Sequence, residues 1–242
     1  MKLFKTLLLA LSSVAVGLAV AIPVFADDSH EQGSLNPAGP PAQHISDLFY
    51  IVLIPATLVI ILVGGAIVYA AFRFRRRDDA MPRQIGGNNA LEFTWTLVPA
   101  LILLSILGLS IAQMPFLRQS PDDSAMHIHV FAQRFAWSFR YPGLKSEQFG
   151  TLYIPAGQVV NLDIDSRDVI HSWSVPRLGG RLDAVPGMRN HTWVEASAPG
   201  SYYGQCTELC GVGHATMTVT VVALSPANFQ AWYAKQPKGG SS

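Results

Sequence analysis

The chain has 242 residues, of which 50% are hydrophobic and 14% charged, with a formal net charge of +1. So apolar a composition excludes an ordinary soluble protein of this length and points to membrane spans. A balance this close to zero leaves no basic footprint for nucleic acid, and none is expected as a partner.

Residues 1–26 carry Lys2 and Lys5, then an apolar run, then Val24-Phe-Ala26 ahead of Asp27 and Asp28. Small residues at minus three and minus one predict a cleaved signal peptide, and no cysteine stands there for lipid attachment. Residues 27–46, rich in Pro, Gly, Ser and Asn, predict a flexible leader. Residues 48–72 hold no charge, enough for the roughly 20 residues that cross a bilayer. They run into Arg73-Phe-Arg-Arg-Arg77, with Arg83 close behind. Such a cluster of arginines places the loop in the cytoplasm. A second apolar run, 93–116, brings the chain back out. Residues 47–116 are therefore expected to be a two-helix transmembrane hairpin in a bacterial cell membrane, with the C-terminal part on the outer, periplasmic or extracellular, side.

Beyond residue 117 the pattern changes. Val160, Leu162 and Ile164 alternate with polar neighbours, as do Met217, Val219 and Val221. Short half-buried strands between Pro-Gly turns (142–143, 186–187, 199–200) predict an all-β antiparallel sandwich over 117–238. Helical spacing over 225–235 predicts a closing helix, and 239–242 a disordered tail. From residue 117 to the end, ten Lys and Arg stand against nine Asp and Glu, a net of +1. Any acidic face would have to be local, around Asp163, Asp165 and Asp168.

The chain's two cysteines fall in Gly204-Gln-Cys-Thr-Glu-Leu-Cys-Gly-Val-Gly-His-Ala-Thr-Met217. Cys206, Cys210, His214 and Met217 thus follow C-x3-C-x3-H-x2-M, and His171 stands upstream in Asp168-Val-Ile-His-Ser-Trp173. Two cysteines in an exported domain commonly form a disulfide. Cys-x3-Cys with a histidine also suits zinc, but thioether does not. Thiolate, imidazole and thioether together select copper. The joint pattern favours the metal.

This stretch resembles the dinuclear copper loop of subunit II of haem-copper cytochrome c oxidases. The likeness extends to Asp168-Val-Ile-His-Ser-Trp-Ser-Val-Pro176, Gly180-Arg-Leu-Asp-Ala-Val-Pro-Gly187, Pro199-Gly-Ser-Tyr-Tyr-Gly-Gln-Cys206 and Leu91-Glu-Phe-Thr-Trp-Thr-Leu-Val-Pro99. It implies a cupredoxin-like Greek-key sandwich holding two copper ions bridged by Cys206 and Cys210. His171, His214, Met217 and the carbonyl of Glu208 would complete the ligands. It implies a subunit passing electrons from cytochrome c, or another small redox protein, to a haem-bearing subunit I that reduces oxygen and pumps protons, with a subunit III alongside.

The same resemblance gives Glu208 and Asp183 a magnesium or manganese site shared with subunit I. It puts Glu92 at the entrance of a proton channel, although an acid in a first helical turn needs no such role. Aligning Trp137 with the family's second aromatic anchor puts Phe135, in place of a tryptophan, at the donor docking position; a core aromatic is the other reading. The alternatives are the related copper-pair subunit of a nitric oxide reductase and a membrane-anchored copper chaperone, which one anchor and an α/β fold would distinguish. The spans hold no histidine for haem, so the chain alone is not a complete enzyme.

Overall fold

A computed structural model describes residues 33–75, 81 and 86–239. The signal peptide, the first residues of the leader, most of the arginine loop and the last three residues lie outside the described residues. Two long helices lead into a β-sandwich. Helix α1 is Pro40–Arg73 and α2 is Asn89–Arg118, with mean hydropathies of 2.8 and 2.2. Both present large apolar side chains outward along their length. Prolines at the first two positions start α1, where no amide needs a partner. Asn88 caps α2 by accepting from Leu91 N at 3.1 Å. Within α2, Thr94, Thr96, Ser105 and Ser110 donate back to carbonyls four residues earlier. No hydroxyl on that helix is left bare toward lipid.

At 34 residues α1 is about 51 Å long, well beyond the ~30 Å hydrocarbon layer. Its first turns therefore stand above the bilayer and dock on the sandwich, burying Pro41, Ala42 and Ser46. Just before them Ala38 bonds to Arg177 O (2.7 Å) and accepts from Ser197 N (2.8 Å). The described part of the leader is thus anchored, not flexible as its composition predicts. Apolar burial and two backbone bonds outweigh the chain entropy. At the other end Gly239 N bonds to Gly143 O at 3.0 Å, so the tail is held to that point.

The sandwich has ten strands: β1 Met126–Gln133, β2 Ala136–Arg140, β3 Gln148–Phe149, β4 Thr151–Pro155, β5 Val160–Ser166, β6 His171–Ser174, β7 Arg181–Ala184, β8 Asn190–Val194, β9 Gly200–Gln205 and β10 Thr218–Leu224. One sheet has the order β3-β2-β1-β5-β8, a second β4-β10-β9, and β6 pairs with β7. The sheets are mixed and not purely antiparallel, since β1 runs parallel to β5 and β4 to β10. Parallel pairing needs a crossover, and the chain supplies one by passing between sheets. This is the cupredoxin-like arrangement expected.

The alternating residues face inward as predicted: Val160, Leu162, Ile164 and Met217 are 0% exposed. Helix α3, Pro226–Ala234, is capped by Ser225 and closes one end with Phe229 and Trp232. There Tyr141 both donates to Tyr153 O (2.8 Å) and accepts from Tyr153 N (2.7 Å). Burial first of all raises its phenol pKa, so it stays a neutral donor. Below, Trp193 Nε1 bonds to Phe116 O at 3.1 Å, giving one of α2's terminal carbonyls a partner and fixing sandwich to membrane hairpin.

Candidate metal centre

The site lies at one end of the sandwich, where β6 begins, β9 ends and β10 has yet to start. His171 opens β6 and is completely buried. Cys206 follows β9, while Cys210 sits in the loop to a short 3-10 turn, His214–Thr216, that leads to Met217. Thr207 N donates to Ser172 O (3.0 Å) and Cys206 N to Met217 O (2.9 Å), lashing the loop to β6 and to the start of β10.

The donor atoms converge. Cys206 Sγ lies 3.9 Å from His171 Nδ1, 3.9 Å from Cys210 Sγ and 3.3 Å from the carbonyl oxygen of Glu208. Cys210 Sγ lies 3.7 Å from His214 Nδ1 and 3.9 Å from Met217 Sδ. The sulfurs are too far apart for a disulfide, whose bond is about 2.05 Å. Two sulfurs at the centre with an imidazole beyond each, a thioether and a carbonyl at the periphery make a soft set that fits a thiolate-bridged copper pair. Burial first, then the neighbouring Cys206, pushes the Cys210 thiol up to about 11. Without a cation the two sulfurs resist becoming thiolates together.

Asp168 aims the buried imidazole. Its Oδ1 sits 2.8 Å from His171 Nε2, which puts the proton there and leaves the Nδ1 lone pair facing Cys206. Burial acts to raise the Asp168 pKa. Hydrogen bonds from Arg134 N, His171 and Val169 N more than offset that and hold it well below the carboxylate range. Sequence reasoning missed Asp168 as a functional residue, although Asp-x-x-His ahead of a strand was its signal.

Phe135 and Trp137 part company. Trp137 is fully buried, edge-on to Trp173 (5.3 Å) and to the His171 ring (6.3 Å). It is the wall behind the converging donor atoms and is not exposed to a partner, because β2 turns it inward. Phe135 lies on the ligand loop. A Cβ at Gly213 would come within 2.5 Å of its ring, and one at Gly211 within 3.2 Å. Gly211 also has φ +137, which L side chains rarely adopt. These two glycines, unremarked in the sequence, let the ring lie flat against the loop.

Asp183 and Glu208 come together as well, but around a guanidinium. Arg181 Nη2 reaches Asp183 Oδ1 at 3.4 Å and bonds to Glu208 Oε2, while its Nε donates to Ser172 Oγ at 2.9 Å. The Glu208 carbonyl points to Cys206 and its carboxylate away, so one residue serves both sides of the loop. Glu92 stands in the first turn of α2, at the opposite end of that helix from the sandwich.

Residues 28–112 match the family described as cytochrome C oxidase subunit II, transmembrane domain, and residues 147–224 match its periplasmic domain. The chain belongs to the cytochrome c oxidase subunit II family. Cytochrome c oxidase subunit 2 of Alkalihalophilus pseudofirmus is 40% identical over 207 residues, covering 82% of this chain and 60% of that relative. The Arabidopsis thaliana subunit 2 is 30% identical over 240 residues, covering 88% and 92%. The crystal structure of the periplasmic domain of subunit II of cytochrome oxidase of Bradyrhizobium japonicum is 28% identical over 49% of this chain and 96% of its own, with a TM-score of 0.47. Strands β1 and β2, with Phe135, fall in the interval between the two family matches.

Proposed function

We propose that this chain is the electron-accepting subunit of a proton-pumping terminal oxidase, taking electrons from a small redox protein, a cytochrome c in the family's usual form, and passing them to subunit I. The observation that carries the reading is the convergence of Cys206, Cys210, His171, His214, Met217 and the Glu208 carbonyl at one buried point. Two copper ions held there would supply a one-electron carrier. The protein's part is rigidity: Asp168 fixes His171, the bonds from Thr207 to β6 and from Cys206 to Met217 fix the start of the loop at Cys206, and Phe135 and Trp137 exclude water. With every donor directed inward, the site is built to relay electrons and not to bind substrate.

The carboxylates of Glu208 and Asp183 would meet subunit I, and a magnesium or manganese ion there would compete with Arg181 for them. Glu92, at the cytoplasmic end of α2, would sit at a proton entrance. A subunit III completes the complex. The test is to purify the full chain in detergent, load it with copper and count. Two coppers per chain with a purple mixed-valence spectrum support the reading; one copper, or a blue single-copper spectrum, defeats it.

A further inference from the structure

Glu208 offers the converging set a backbone atom, its carbonyl oxygen, 3.3 Å from Cys206 Sγ. A side-chain donor can turn on its own rotamers, but a carbonyl goes where its peptide goes. The placing of this donor therefore depends on how the chain is held at residue 208. Backbone bonds do not hold it. Thr207 N donates to Ser172 O at 3.0 Å and His214 N to Gly211 O at 3.1 Å. Among the described residues, no backbone amide from Glu208 to Gly213 donates to a backbone carbonyl.

The tie at residue 208 is its own carboxylate. Arg181, the first residue of β7, sends Nη2 to Glu208 Oε2 and Nε to Ser172 Oγ at 2.9 Å. Ser172 is completely buried and follows His171 on β6. The guanidinium is thus anchored one residue from an imidazole of the same cluster. Asp183 Oδ1 lies 3.4 Å from the same Nη2 and steadies it from the other side. The side chains of Arg181 and Glu208 are 50% and 43% exposed, and a pair in that setting contributes little by charge alone. The planar fork supplies geometry instead, because a guanidinium seated on a buried hydroxyl presents its outer nitrogen in one direction.

We propose that Arg181 is a positioning residue for the copper centre, clamping the Glu208 peptide to β6 so that its carbonyl keeps a fixed place beside the sulfurs. The proposal deepens the electron-accepting reading above and rests on it. Groups that touch no metal but orient the donors set how firmly and how evenly those donors hold it.

The test loads the full chain with copper in detergent, in buffer free of magnesium and manganese. It compares the parent with Arg181→Lys, which keeps the charge and loses the fork, with Arg181→Gln and Glu208→Gln, and with the double Gln variant. Each single variant should shift the copper spectrum and speed copper release to a chelator about tenfold. The double variant should be no worse than either single Gln change, since both break one clamp. The copper-free forms should unfold at nearly the same temperature. An unchanged spectrum and release rate in Arg181→Gln overturn the proposal. Parental behaviour in Arg181→Lys overturns it too, making charge and not the clamp the cause, as do additive losses in the double variant. Lowered copper-free stability with an intact spectrum would assign Arg181 to the fold alone and overturn it as well. One copper, or a blue spectrum, in the parent chain overturns the electron-accepting reading and the proposal with it.

Discussion

Asp168 and His171, three residues apart, form a fixed unit in which the carboxylate oxygen lies 2.8 Å from Nε2 and turns Nδ1 toward Cys206. The carboxylate is not among the converging donors, yet it decides which nitrogen of His171 faces them. Asp168→Asn keeps the shape and leaves an amide that presents either oxygen or nitrogen to the ring. Copper affinity should fall about 10- to 100-fold, measured by competition with a calibrated chelator. An unchanged affinity would show that β6 alone orients the ring.

Cys206 and Cys210 should be metal-bound thiolates in the assembled protein, since thiolate is the form that binds metal and their sulfurs rest 3.9 Å apart, beyond bonding distance. Copper-free protein is expected to oxidise to the disulfide and then to refuse copper until reduced. Mass spectrometry of the native assembled protein checks this; a Cys206–Cys210 bond in the copper-loaded form would contradict it.

Gly213→Ala should expel Phe135 from the loop, because the added carbon would stand 2.5 Å from the ring. The expected result is weaker copper retention and a shifted copper spectrum. Phe135→Ala should slow transfer from the natural donor and also loosen the loop, whereas Phe135→Tyr should preserve the spectrum. Stopped-flow reduction, read beside the spectrum, separates contact from packing. Equal spectra and rates in all three variants would remove Phe135 from both roles.

Glu147 is held at a pKa of about 2, from 4.5, because hydrogen bonds from Arg167, Ser138 and Arg140 outweigh the opposing effect of burial. A depressed carboxylate pKa stabilises the fold above the unfolded value and loses that contribution as pH falls through the folded one. Its contribution is therefore full above about pH 5 and gone near pH 2. Glu147→Gln should cost about 2 kcal/mol at neutral pH, with the gap to the parent closing between those limits. Thermal unfolding of the detergent-solubilised chain, followed by tryptophan fluorescence, measures it. A gap independent of pH would mean that packing, not charge, is lost.

Local patterns already determine much of this protein. Uncharged runs long enough for a bilayer, period-two alternation, Pro-Gly turns and the C-x3-C-x3-H-x2-M spacing are short-range features, each with its own physical cause. They place both helices and the inward faces of β5 and β10, and they name the five side chains whose donor atoms converge at one end of the sandwich. Tertiary structure decided what depends on distant segments meeting. That Asp163, Asp165 and Asp168 each lie beside an imidazole or guanidinium follows from β1 and β8 bringing His127, His129 and His191 beside β5, and the β1–β2 turn bringing Arg134 beside Asp168. That Trp137 is wall and Phe135 is cover follows from which side of the strand meets Trp173 and which meets Gly213. The leader's anchoring to Arg177 and Ser197 joins residues about 140 to 160 positions apart in the chain. Composition describes a segment on its own, while the free energy of docking depends on the surface that waits for it.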